Sequence, residues 1–319
     1  MKVAVTFDIN KARLRHLDWV IQIERSLQSG PEVGRCALPG YQNCELGIWL
    51  HGDGRTKYRH FHDIHLLTLE HRRFHHTVEQ LLQALHDGCR IKAQELLIGV
   101  RHMSKDIIYL LTLLELRTIE RQRTRQLGGG LLYAIEGFFF KKSAGIEPPK
   151  SHTENPAIDL TYARLAHLRW ASRLDHRFKN YGHGVALQPH NSCEFGTWIH
   201  QVGLKKYSYI DEMQALETVH RAFHEVAAQI IRHLTNRHLR RADESYADVQ
   251  NLSREIAWLL TVIEYRLTPP SAGGCAGPPK PPAPPTPRPP EIPQEEAAIA
   301  TPMAQLSPIM AAAKHLIGG

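Results

Sequence analysis

Asp8-Ile9-Asn10-Lys11-Ala12-Arg13-Leu14-Arg15-His16-Leu17-Asp18-Trp19 returns 151 residues later as Asp159-Leu160-Thr161-Tyr162-Ala163-Arg164-Leu165-Ala166-His167-Leu168-Arg169-Trp170. Further along, Cys44-Glu45-Leu46-Gly47-Ile48-Trp49-Leu50-His51 returns as Cys193-Glu194-Phe195-Gly196-Thr197-Trp198-Ile199-His200, now at a spacing of 149. That spacing still relates His71-Arg72-Arg73-Phe74-His75 to His220-Arg221-Ala222-Phe223-His224, and Leu110–Arg117 to Leu259–Arg266. A register held over so long a stretch means a duplicated unit, not a chance pair of motifs.

Each copy reads as helical. Asp8 and Asp159 are suited to cap a helix N-terminus, because a short side-chain oxygen accepts a free backbone N–H of the first turn. Ile9, Ala12, Leu14, His16 and Trp19 follow as an apolar stripe, and apolar residues recur at three and four spacing through Leu66–Leu85 and Ile98–Leu114. Proline is absent from Gln42 to Leu116 and from His190 to Leu267, and no long stretch alternates with period two. The expected fold is all-α. Two tandem antiparallel four-helix-bundle-like domains, 7–125 and 157–267, are joined by a linker over 126–156 and followed by a Pro-rich tail over 268–319. The tail holds 12 of the 20 prolines between Pro269 and Pro293 and is expected to be disordered, with Ile299–Ile317 as a candidate docking helix. The linker carries the apolar run Leu131–Phe140, expected to pack back on a bundle.

Composition narrows the function classes. The net charge is +7 from 39 basic and 32 acidic residues, an ordinary soluble balance. No apolar run approaches the ~20 residues of a membrane span. The first residues lack the apolar core of a secretory signal. Five cysteines without an export signal point to a reducing, cytoplasmic setting, in which Cys serves as a metal ligand or redox centre more often than in disulfides.

Histidine is abundant at 21 residues, and a few of these are duplicated in register. His16, Cys44, His71 and His75 in the first copy match His167, Cys193, His220 and His224 in the second. Each HxxxH pair lies one helical turn apart on one face and can chelate one ion. The Cys precedes it by 27 residues in both copies. Three imidazoles and one thiolate form a closed tetrahedral set that suits Zn(II), giving two ions per chain. His51/His200, Glu45/Glu194 and Glu115/Glu264 are duplicated candidates for holding those ligands in place. Gly47 and Gly196 are expected to permit close backbone approach near the Cys, and Trp19, Trp49, Trp170 and Trp198 to pack the core. Cys36, Cys89 and Cys275 have no duplicated counterpart.

The pattern His-x-x-Trp, Cys-x-(Leu/Phe)-Gly-x-Trp, His-x-x-x-His resembles the bacterial chemoreceptor zinc-binding (CZB) domain over Asp8–Arg117 and Asp159–Arg266. The resemblance implies a small helical bundle holding one Zn(II) through three His and one Cys, used as a zinc or oxidant sensor. It also implies a signalling partner, a chemoreceptor or diguanylate cyclase, and pairing as a homodimer or as an intramolecular pseudo-dimer. No receptor signalling hairpin or cyclase signature accompanies the two copies, a departure from the family pattern that leaves the output open. The leading expectation is therefore a cytosolic zinc-binding sensory protein, not an enzyme; the alternative is a purely structural zinc scaffold. HExxH is missing because Arg72 and Arg221 follow the first His of each pair. A di-iron hemerythrin-like bundle would call for bridging carboxylates and no Cys. Arg117–Arg125 and Arg237–Arg241 raise nucleic-acid binding, which is not expected because no recognition motif goes with them.

Overall fold

The computed structural model describes residues 2–29, 39–126, 156–180 and 187–267. The apolar run at 131–140, the Pro-rich tail, Cys36 and Cys275 lie outside the described residues. Every described element is helical. The first repeat comprises α1 (Lys2–Ser29), α2 (Glu45–His51), α3 (Asp53–Tyr58), α4 (His62–His86) and α5 (Arg90–Gln126). The second comprises α6 (Pro156–Lys179), α7 (Glu194–Trp198), α8 (Asp211–Thr235) and α9 (Leu239–Leu267), with a π turn and a last short helical turn between α7 and α8. Among the described residues, no helix is long and apolar enough to cross a membrane.

In each repeat the two helices that follow the Cys segment form an antiparallel hairpin. Along α4 the buried positions Ile64, Leu67, His71, Phe74, His75, Val78 and Leu81 recur at three and four spacing, so one face enters the core and carries both histidines with it. Met213, Leu216, His220, Phe223, His224, Ala227 and Ile230 do the same on α8. The turn after α4 is a Schellman cap: Cys89 N–H donates to Ala84 O at 2.8 Å, Gly88 N–H donates to Leu85 O, and Gly88 sits at φ +74. The turn after α8 repeats it with His238 to His233 and Arg237 to Leu234, but here the left-handed residue is Arg237 at φ 58.

The sequence expects Asp8 and Asp159 to start their helices; the structure does not use them so. α1 runs back to Lys2, and α6 begins at Pro156, a residue already fitted to the first helical position. The Asp159 carboxylate instead accepts from Tyr207 Oη at 2.8 Å and Lys206 Nζ at 2.7 Å, pinning α6 to the end of the Cys segment.

The two repeats pack against each other within one compact unit spanning Met1–Pro270. Lys105 on α5 pairs with Glu255 on α9, and Arg254 on α9 pairs with Asp106 on α5 at 2.6 Å. These two ion pairs are each other's counterparts at the 149-residue spacing. A contact between i and j matched by one between their equivalents is the signature of a two-fold interface, here inside one chain. Apolar clusters flank the ion pairs: Leu17, Ile108 and Ala257 with Trp258 and Tyr265, and Leu116, Leu165 and Leu168 with Tyr109.

At the centre lie two buried guanidiniums, Arg13 at 0 % and Arg164 at 1 % exposure. Arg13 donates to Glu115 Oε2 at 3.1 Å, Thr112 Oγ1 at 3.2 Å and Asn10 Oδ1 at 2.6 Å. Arg164 donates to Glu264 and to the Leu260 carbonyl. Asn10 Nδ2 then donates across the repeats to Glu264 Oε1 at 2.8 Å. Burial, with Arg13 nearby, lowers the pKa of Arg164, while Glu264 and Glu115 raise it.

Two expectations concern stability and are read by chemical denaturation. Truncating one partner alone, Glu115→Ala or Glu264→Ala, costs about 3–5 kcal/mol because it strands a buried cation, whereas Arg164→Met with Glu264→Leu costs less than either single truncation. Arg237→Gly raises stability by roughly 0.5–1 kcal/mol, because the left-handed position suits Gly and nothing in the cap depends on the Arg side chain.

Candidate metal centre

Cys44 and Cys193 each precede a short helix and cap it. With φ −73 and ψ 160, Cys44 points Sγ at the Gly47 N–H, 3.2 Å away; Cys193 does the same to Gly196 at 3.2 Å. The glycines are required by the fold at this point. A Cβ on Gly47 would lie 1.8 Å from the Tyr41 carbonyl oxygen, and one on Gly196 would lie 1.7 Å from that of His190. This agrees with the close approach expected from sequence.

The caps bring the sulfurs against the HxxxH pairs. Cys44 Sγ lies 3.2 Å from His71 Nε2, and Cys193 Sγ lies 3.5 Å from His220 Nε2. In each trio, Cys44/His71/His75 and Cys193/His220/His224, every ligand atom lies within 4.8 Å of the others. The paired imidazoles stand edge to face at 4.7 Å in both repeats.

The first-helix histidines stand beside these trios, outside the 4.8 Å grouping. His16 packs edge-on against Phe74 at 4.7 Å, and its Nε2 is engaged with Ser104 Oγ at 3.1 Å. His167 is engaged likewise with Ser253 Oγ at 2.8 Å. After burial, His16 is among the causes that lower the pKa of His71, and His75 among those that lower His16, so the ring borders the trio. Engagement of Nε2 by Ser leaves Nδ1 as the nitrogen available to a metal and fixes the ring's orientation. Ser104 and Ser253 escape a reading confined to metal-donor residue types. Their signal is the 149-residue spacing they share with everything else in the site.

The expected supporting acids prove to be elsewhere. Glu115 and Glu264 face Arg13 and Arg164 in the inter-repeat core, because a buried guanidinium is a stronger partner than an imidazole N–H. Exposed Glu45 pairs with half-buried Arg15 at 3.1 Å, and His51 Nδ1 bonds the Gly47 carbonyl at 2.9 Å, holding the helix behind the Cys. His200 is exposed. Trp170 and Trp198 are core residues, as expected.

Electrostatics favour a soft cation. Burial drives the imidazoles down, His16 and His167 to about 3, His71 and His220 to about 2, His75 and His224 to about 4, so all six are neutral ligands near neutral pH. Burial raises the thiols of Cys44 and Cys193, opposed by the backbone N–H groups at Gly47 and Gly196. Those N–H groups already face the sulfur and favour its anionic form. His224 bonds the Gln188 backbone, while its Nε2 is buried with no hydrogen-bond partner among the described residues. A buried, oriented lone pair next to a thiol and a second imidazole is what a zinc ion requires, and the donor set fits one.

Gly47→Ala or Gly196→Ala is expected to lower stability by about 3 kcal/mol through the backbone clash, and to displace the Cys of its own repeat. A circular-dichroism melt and a thiol-accessibility assay, repeat by repeat, read both effects.

Sequence comparison agrees with this geometry. The sequence model of the chemoreceptor zinc-binding domain matches residues 167–231, which begin at the α6 histidine and run into α8 beyond the HxxxH pair. No curated protein and no solved structure matches the chain. The matched span lies in one repeat, and the first repeat is similar to it through the internal register. His167, Cys193, His220 and His224 all lie inside the match, so over that span the second repeat is similar to the chemoreceptor zinc-binding domain at each of its four expected ligands.

Proposed function

We propose that the protein is a zinc-responsive regulatory protein that acts by binding, not by catalysis, with one Zn(II) in each repeat and so two per chain. The observation that carries this reading is the recurrence, in both repeats, of a buried Cys/His/His trio beside a serine-oriented first-helix histidine. Four protein donors fill a tetrahedron and leave no position open for activating water, which speaks against a hydrolase. Among the described residues no carboxylate stands with the two Cys/His/His trios, which speaks against a di-iron centre.

When bound, Zn(II) supplies a cross-link among separate segments and keeps the sulfur as thiolate. The protein's residues connect that cross-link to the rest of the fold. Cys44 fixes the start of α2, His71 and His75 fix one face of α4, and His16 fixes α1. α1 also carries Asn10, Leu17 and Asp18, which meet the second repeat; Asp18 accepts from Tyr265 Oη at 2.6 Å. His16 therefore sits next to Leu17 and one turn from Arg13, so the hold on α1 at the metal site is felt at the inter-repeat contact. The partner is a signalling protein of chemoreceptor or diguanylate cyclase type, a reading supported by the family resemblance. Cys44 and Cys193 are free thiols, which supports a reducing cytoplasmic setting. Sulfur is also the one oxidisable donor. A hydroperoxide that transfers an oxygen atom to it, leaving water or an alcohol, makes a sulfenic acid and weakens the site.

A structural zinc scaffold is the second reading, favoured by ligands no more than 9 % exposed. Elemental analysis of protein purified without added metal, against Cys44→Ala plus Cys193→Ala, is the first test. Two zinc per chain, largely lost in the double variant, is the expected result. Iron or no metal sinks the proposal. Slow loss to chelator with no change in partner binding favours the scaffold. Ser104→Ala and Ser253→Ala each lower zinc affinity in their own repeat by roughly 10–100-fold while leaving the helical content unchanged.

A further inference from the structure

The two metal sites differ at one position that the duplicated motif does not include. The residue three before the Cys is Tyr41 in the first repeat and His190 in the second. Both occupy the same place in the fold. Each offers its carbonyl to the Cys thiol, at 3.8 Å from Cys44 and 3.5 Å from Cys193, and each carbonyl lies against the glycine of the cap. Their side chains differ in use. Tyr41 lies 6.0 Å from the His51 ring, takes a hydrogen bond from Gln42 at 3.0 Å and has the Arg72 guanidinium over its face. The His190 ring lies 6.3 Å from the His224 ring, is half-buried and bears electrostatically on both His220 and His224.

We propose that His190 is a reserve metal ligand of the second site, able to take the coordination position of Cys193 when the thiolate is lost, and that the first site has no such reserve. The inference rests on zinc binding at the two trios. A neutral imidazole is a borderline donor that zinc accepts as readily as it accepts its other histidines. His190 is held at the Cys cap by its backbone, and its ring stands beside that of His224. With His167, His220 and His224 it would complete an all-imidazole set. A tyrosine at the same position offers a phenol, which must give up its proton to ligate and makes a poor substitute. The second site is thereby built to keep its metal after its cysteine is blocked, and the first to release it.

The test compares single-cysteine variants of the full chain by competition with a chromophoric zinc chelator, each checked for helical content. Cys44→Ala is expected to lose the first-site zinc. Cys193→Ala is expected to retain second-site zinc at an affinity at least about tenfold above that left in the first site of Cys44→Ala. His190→Ala in the Cys193→Ala background removes the difference, and Tyr41→His in the Cys44→Ala background installs retention in the first site. Cobalt substitution gives a second readout: Cys193→Ala loses the sulfur-to-cobalt charge-transfer band of the second site yet keeps tetrahedral ligand-field bands there. If Cys193→Ala releases zinc as fully as Cys44→Ala, or if His190→Ala changes nothing in that background, the proposal is overturned while zinc binding by the wild type stands. If the wild type itself holds no zinc, the underlying reading fails with it.

Discussion

Two guanidinium–carboxylate pairs sit where a helical bundle would ordinarily place leucines, and the rest of the molecule is arranged around them. A buried Arg–Glu pair is a poor source of stability, because desolvating both ions offsets most of their attraction. It is a strong source of specificity, because a misplaced helix leaves a charge unpaired in apolar surroundings. Arg13 can be satisfied only if α1 lies against α5 in one register, where Thr112 and Glu115 meet it. Glu264 can be satisfied only if α6 and α1 both approach α9, since it receives Arg164 from its own repeat and Asn10 from the other. The pairing of the repeats is thus specified by the same side chains that set the internal order of each one.

The metal centres inherit their precision from this frame. His16 and His167 lie one turn beyond the buried arginines on α1 and α6, and their rings are aimed by serines on α5 and α9, the helices that also carry the glutamates. The Cys arrives by a different device, a capping turn so close to the backbone of Tyr41 or His190 that only glycine fits in the first turn of its helix. Rigid helices set three donors and a glycine-dependent turn sets the fourth, which places the reactive sulfur on the least extensive element of each repeat.

Much of this was legible in the sequence, for identifiable reasons. The duplication revealed the helical repeats and the donor residues, because a spacing of 149 or 151 filtered 21 histidines down to a few. The same filter marked Glu115 and Glu264 as significant but not what they were for. As duplicated carboxylates able to accept an imidazole N–H they suggested a metal role, whereas their true partners, Arg13 and Arg164, lie about a hundred residues away in sequence. Asp8 and Asp159 carry a capping residue's chemistry, yet α6 starts earlier at Pro156 and tertiary contacts from Lys206 and Tyr207 claim Asp159. Ser104 and Ser253 were invisible to a search for donors, and the particular ion pairs that join the repeats depend on long-range packing that no local period encodes.

Joining the repeats in one chain also changes what the pairing depends on. Two separate copies associate by mass action, so the fraction paired rises and falls with how much protein is present. Tethered halves meet at a local concentration fixed by the connecting segment, whatever the abundance of the molecule. The crosswise ion pairs of Lys105 with Glu255 and Arg254 with Asp106 therefore form once per chain and without dilution. A signal read from that contact would report the chemical state of the protein and be indifferent to its expression level.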